Sequence, residues 1–307
     1  MPSQITTVPA GGSDTSLPFG IEVGIRYDLS GPDGARVSFN EPADRDFVGY
    51  LQEVTGLDGP EVRESAELLV QGDGGVHSDF YFGRRPITLS GIIDPSVFGT
   101  VRNQRVTRLL RATNAMRGDA TLSWNATGGV PVQVRVRRQN SPRISGGRLK
   151  QFQVSLVAAD PRIYGEDTNV AQVAAGAVTT AGFTSPMLSP LTAIPSPVGQ
   201  VLVTNLGNAG APPVISIYGP VTNPVVTNQT SGRALSFAYT LNATEHLDID
   251  VLARTVLFNG SVNRYSALDF VNSEWWELGA GSNDIRFTAA SFAAGASLVI
   301  IWNHAWI

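Results

Sequence analysis

Apolar and polar residues alternate with period two along much of this chain, and that pattern predicts strands. Gly20-Ile21-Glu22-Val23-Gly24-Ile25-Arg26-Tyr27 and Ala35-Arg36-Val37-Ser38-Phe39 flank the turn cluster Ser30-Gly31-Pro32-Asp33-Gly34, so an early hairpin is expected. Residues 54–64 have the Gly and Pro density of a long loop, and residues 78–93 are β-rich again. Within that run a strand starts at Pro86, since proline is tolerated at strand starts and edges. The period then changes. Over residues 97–117, Val101, Val106, Leu109, Leu110, Ala112, Ala115 and Met116 recur at spacings of three and four, entered through Asp94-Pro95-Ser96 and stopped at Gly118. This is the one helix the pattern predicts, and Arg102, Arg105, Arg108 and Arg111 recur every three residues on its polar side. Strands follow at 120–125, 130–138 and 149–158; in the second, Val132, Val134 and Val136 face one way and Gln133, Arg135 and Arg137 the other.

Residues 165–200 are dominated by Ala, Thr, Ser, Gly and Pro, with Glu166 and Asp167 as the only charges. Too little large apolar content is present for a core, so a linker is expected, with room for one strand docked onto a neighbour. From residue 201 onward, strand-like runs at 201–204, 213–218, 223–228, 235–239, 246–250, 255–258, 273–278, 283–288 and 297–302 are separated by Asn, Gly and Pro. Such spacing is the signature of an antiparallel sandwich. The fold class is therefore mainly β: a sandwich- or barrel-like N-terminal domain with one helix (19–164, after an extension 1–18), a linker (165–200) and a C-terminal sandwich (201–307).

With 42% hydrophobic and 16% charged residues, the 307-residue chain can bury sizeable cores, and no apolar run reaches the length of a membrane span. A soluble protein is expected. The first twenty residues lack Lys, Arg and an apolar run, so synthesis is expected to end in the cytoplasm. The net charge of −4 hides a polarised distribution: residues 1–100 carry 6 Arg against 15 Asp and Glu, whereas residues 101–150 carry 11 basic residues against 1 acidic. Lys150 is the sole lysine. Arginine forms planar, bidentate pairs that survive partial burial, which suits an interface more than a solvated surface. Phosphate binding is the other use of such a block, but neither a recognition motif nor interleaved aromatics accompany it, and pairing with the acidic segment of the same or an adjacent subunit is the better reading.

Catalytic ingredients are missing. The absence of cysteine removes disulfides, thiolate metal sites and cysteine nucleophiles. His77, His246 and His304 are scattered, and neither a nucleophile elbow nor a phosphate-binding loop is present. Asp73 and Asp79 lie in a glycine-rich turn without the ligand spacing of a calcium loop, and Asp248 and Asp250 read as the solvated face of a strand. No enzyme, cofactor or metal is expected. Four of the five tryptophans, Trp275, Trp276, Trp302 and Trp306, crowd the C-terminal end. Core or interface packing explains them; the functional alternative is sugar stacking by Trp275 and Trp302, which would make the chain a carbohydrate-binding module.

The order of these parts resembles the distal tail protein family of long-tailed, non-contractile bacteriophages. The matching residues are Gly83-Arg84-Arg85-Pro86-Ile87-Thr88-Leu89-Ser90-Gly91, the strand ending in Ala159-Asp160-Pro161-Arg162-Ile163-Tyr164, and, in the C-terminal half, Pro213-Val214-Ile215-Ser216-Ile217-Tyr218-Gly219, Asn223-Pro224, Trp276-Glu277-Leu278 and Gly281-Ser282-Asn283-Asp284-Ile285. Ala280 stands where the family usually has proline. The resemblance implies a galectin-like C-terminal domain and a homohexameric ring at the distal end of a virion tail. Its implied partners are the tail tube protein, the tip or baseplate hub and receptor-binding proteins, with DNA passing through the lumen unbound and no membrane contact. Arg102, Arg105, Arg108 and Arg111 are then candidates for contacts between subunits or within the domain. Arginine in place of lysine also suits a phage with a GC-rich genome.

Overall fold

Alternation of buried and exposed side chains builds two separate β units, residues 1–161 and 162–307, in a computed structural model that describes residues 25–63, 66–68, 75–77, 81–114, 116, 118–126, 129–175 and 199–307. The expected extension 1–18, the start of the first expected strand and most of the expected linker lie outside these residues. In the first unit the strands are β1 Tyr27–Ser30, β2 Arg36–Phe39, β3 Phe47–Thr55, β4 Val62–Arg63, β5 Ala66–Leu68, β6 Gly75–His77, β7 Tyr81–Phe82, β8 Arg85–Ile93, β9 Ala120–Asn125, β10 Pro131–Arg138, β11 Arg143–Ser145 and β12 Gln151–Ala158, with one helix, α1 Gly99–Ala112. The expected hairpin is β1–β2. Seven strands in the order β12, β8, β3, β2, β1, β9, β10 close into a barrel through pairing of β10 with β12. Closure leaves no long free sheet edge, which is how such a domain avoids indiscriminate strand pairing. Leu29, Val37, Phe39, Ile87, Leu89, Leu122 and Val154 are fully buried at its core.

Strand β3 is not among the predicted strands, because Phe47, Val48 and Gly49 are all buried and the register shifts between Leu51 and Glu53, which erases the alternation. Its last residues, Val54 and Thr55, occupy the start of the expected loop. The helix is shorter than expected. Thr113 donates its N–H and its hydroxyl to the Leu109 carbonyl, at 3.1 and 2.9 Å, and the Asn114 side chain then captures the Met116 N–H at 3.1 Å. Met116 is 95% exposed, and Gly118 lies beyond the end.

The second unit consists of β13 Ile163–Gly165, β14 Asn169–Ala174, β15 Gln200–Asn205, β16 Val214–Tyr218, β17 Val221–Asn228, β18 Arg233–Ser236, β19 Thr240–Leu241, β20 His246–Asp250, β21 Thr255–Phe258, β22 Val262–Asn263, β23 Gly281–Phe292, β24 Ser297–Trp302 and β25 Ala305–Trp306. A six-stranded sheet (β14, β24, β16, β20, β21, β22) and a five-stranded sheet (β15, β23, β17, β18, with β19 on β17) are antiparallel throughout. Ile215, Ile217, Leu247, Ile249, Leu298 and Ile300 of the first share one core with Val203, Val226, Ile285 and Phe287 of the second, so the unit is a sandwich. Strand β14 lies inside the expected linker and pairs along its whole length with β24. The expected strand 273–278 does not form. Leu278 makes an isolated bridge to Ala211, and Trp276 inserts into the core.

Candidate functional site

The arginines of α1 meet partners within their own domain. Arg102 donates to the Arg148 carbonyl at 2.9 Å, Arg105 pairs with Asp94, and Arg108 donates to the Arg45 carbonyl at 3.0 Å and lies 3.4 Å from Asp46. Asp94 is buried and also accepts from the Ser96 N–H and hydroxyl, and the Arg105 guanidinium stands 5.2 Å over the Phe47 ring. A stride of three residues walks around a helix by slightly less than one turn, so each guanidinium meets a different neighbour. Arg111 is exposed. It lines a groove of about 600 Å³ with Arg36, Arg108, Asp33 and Asp46. Nearby, Asp44 accepts from the Asp46 N–H and pairs with Arg26, and this holds its carboxyl below the usual range.

A second surface leaves the barrel altogether. Strand β4 pairs with β7 and β5 with β6, both antiparallel, and among the described residues neither pair joins the barrel sheet. The segment 57–83 thus contributes two short antiparallel ladders, an arm apart from the barrel. It carries six carboxylates, at 58, 61, 64, 67, 73 and 79, against Arg63 alone. Val62, Tyr81 and Phe82 are exposed on it, Tyr81 at 69%. Exposed apolar side chains on such a ladder suit contact with another protein surface.

At the root of the arm lies Arg85, whose side chain is wholly buried. Its Nε donates to the Pro161 carbonyl at 2.7 Å, and Nη1 donates to the carbonyls of Leu57 at 2.8 Å and Gly56 at 3.2 Å. Burial holds the guanidinium pKa below its ordinary value, and the charge of Asp58 partly offsets this. Sequence reasoning quoted Arg85 as part of a motif without giving it a role; the available signal was its fixed spacing to Ile87, Leu89 and Gly91.

In the second unit, Trp302 belongs to the core. It is 7% exposed and its indole N–H is donated to the Thr204 carbonyl at 3.1 Å, so it has no free face for a sugar, a correction to the expectation above. Trp275 is half-buried in a surface cluster, parallel to Tyr265 at 6.4 Å, with Phe270, 61% exposed, 5.5 Å from Tyr265. Tyr265 and Phe270 escaped the sequence reading because only folding brings them beside Trp275.

His246 lies 3.2 Å from Asp248, which accepts the Ser216 hydroxyl at 2.6 Å. The carboxylate, not the imidazole, stands in the middle, so the histidine cannot take the serine proton as a general base does. Asp250 accepts the Ala253 N–H at 2.8 Å, and His304 accepts the Leu206 N–H at 3.2 Å. The His77 side chain and most of the 71–79 turn lie outside the described residues. Among the described residues no three His, Asp or Glu side chains cluster as metal ligands, and no helix is long and apolar enough to cross a membrane.

Residues 206–306 match the family described as siphovirus-type tail component, C-terminal domain. Curated proteins yield no match by sequence. Among solved structures, the Dit protein (gp 19.1) of SPP1, described as a paradigm of the hub adsorption apparatus in phages infecting Gram-positive hosts, superposes with a TM-score of 0.64 at 14% identity, over 92% of this chain and 99% of that one. A chain of the phage P2 baseplate, in its calcium-activated conformation, aligns with a TM-score of 0.49 at 12% identity over 91% and 98%. The family description names a tail component, and SPP1 Dit is described as part of a hub adsorption apparatus.

Proposed function

We propose that this chain, whose residues 206–306 match the siphovirus-type tail component family, is a distal tail protein whose first unit forms a homohexameric ring. The fold shared with SPP1 Dit supports this reading. The observation that carries it is the pair of unlike surfaces on one closed barrel: an acidic arm with exposed Val62, Tyr81 and Phe82, and an arginine-bearing helix beside an open groove. A ring needs a heterologous contact in which one patch meets a different patch on the next copy. Arm to helix groove is such a contact, with opposite charge for orientation and aromatic side chains for affinity. Because Arg102, Arg105 and Arg108 are engaged within the domain and Arg36 pairs with Asp28 at 3.2 Å, Arg111 is the groove cation left for the neighbour.

In this reading the ring joins the tail tube to the tip or baseplate hub, leaves a lumen through which DNA passes, and presents the sandwich units to receptor-binding components. The protein is made in the host cytoplasm and resides in the virion tail. Mass photometry and negative-stain imaging of the purified chain test it: six-fold rings are expected, and a monomer at every concentration and salt overturns it. Changing Tyr81 and Phe82 together to Ser should leave a folded monomer.

A second reading is favoured by the aromatic cluster at Tyr265, Phe270 and Trp275, whose rings suit stacking on host cell-wall sugars. Binding to cell-wall polysaccharide that disappears in Trp275→Ala supports it; no binding across such polysaccharides removes it.

A further inference from the structure

The Arg85 guanidinium sits where three passages of the chain meet. The arm departs from the barrel at Gly56 and Leu57, returns through Gly83 to Arg85 itself, and the first unit ends at Pro161. Arg85 donates to carbonyls of the departing segment and of the terminal segment at once. Gly56 is held at φ +87°, and a Cβ there would lie 1.8 Å from the Pro86 oxygen, so only glycine delivers its carbonyl to this point. The Gly83 N–H closes the arm root on the Glu61 carbonyl at 2.6 Å. No carboxylate bonds the guanidinium, and its Nη2 has no partner among the described residues. A buried charge satisfied only by carbonyl dipoles has strong reason to keep all of them, because each one lost leaves part of the charge unsolvated.

We infer that Arg85 is a positioning residue that couples the root of the arm to the exit of the chain from the first unit, so that displacement of either segment is transmitted to the other. This does not depend on the ring, and it holds or fails in the isolated chain. Two segments bonded to one rigid, planar donor cannot shift independently without breaking a bond to it.

Hydrogen exchange followed by mass spectrometry, on peptides covering 57–63 and 158–162, tests the coupling through a double-mutant cycle. Arg85→Met should raise exchange tenfold or more in both peptides. Gly56→Ala, which strains the arm root and presses on the Pro86 carbonyl beside it, should raise exchange several-fold at 158–162 while Arg85 is present, and should add nothing there once Arg85 is Met. Arg85→Lys, which keeps the charge but not the fork, should fall between. If Gly56→Ala leaves 158–162 unchanged, or if the two effects simply multiply, the inference is overturned. Should Arg85→Met not fold, Gly56→Ala decides alone: faster exchange at 158–162 with 151–157 of β12 unaffected supports coupling, and unchanged exchange at 158–162, or faster exchange along β12 as well, refutes it.

Discussion

Gly91 lies where β8 pairs with β3 beside the register shift, so closely that a Cβ would stand 2.1 Å from the Tyr50 carbonyl oxygen; Gly49, on the paired strand, meets the Ile92 oxygen at the same distance. Two backbones in such contact let the sheet curl tightly enough to close. Gly91→Ala should therefore cost about 2–3 kcal/mol, read as a fall in the urea midpoint. Gly34→Ala, at φ +78° but with nothing within 4 Å of the added carbon, should cost only about 1 kcal/mol from backbone strain. The motif containing Gly91 was visible in the sequence as a spacing; its meaning was not. Ile87 and Leu89 point into the barrel, Gly91 permits the close approach to β3, and Arg85 binds carbonyls that are 28, 29 and 76 residues away. Buried asparagines teach the same lesson. Asn205 donates to the carbonyls of Ala209 and Leu278 and accepts from the N–H groups of Gly207 and Ala305, tying its own loop to Leu278 and to β25, which no local pattern links.

Elements were legible where one face is buried and the other wet. The runs at 120–125, 246–250, 255–258 and 297–302 are strands with those same bounds, since strict alternation carries both their type and their register. Elements buried on both faces were not legible, as β3 shows, and 273–278 misled because a strand-like composition serves there to anchor Trp276 in the core. The helix was legible as a period, but its end was decided by side-chain competition at Thr113 and Asn114. Its arginines were legible as a stripe, while their unequal roles came from what each meets. Arg105→Met should destabilise the chain by about 2–3 kcal/mol, because Asp94 is left buried without its cation. Arg111→Ser should change stability by less than about 0.5 kcal/mol. Thermal unfolding of the two variants side by side checks this, and equal shifts would contradict the assigned contacts.

At the scale of the whole molecule, charge separates two surfaces of one barrel, and their attraction should show in assembly. If the acidic arm meets the groove at Arg111, rings should loosen as ionic strength rises, since exposed pairs are screened within about 8 Å at physiological salt. Arg111→Glu should shift the ring-to-monomer balance at low salt and leave the melting curve of the monomer unmoved; mass photometry across a salt series checks both. The sequence by itself determined that the chain is β-rich with one helix, that its N-terminal half is polarised in charge and that cysteine chemistry is impossible. These are properties of composition and short-range period, which survive without knowledge of any contact. Only the tertiary structure decided that the first sheet closes, that residues 169–174 belong to a sheet, that Trp302 is core while Trp275 is surface, and that Arg85 binds the arm root and the domain exit together. Each of those depends on residues distant in sequence being brought within a few ångströms, and hydrogen bonds and packing at that range leave no periodic trace along the chain.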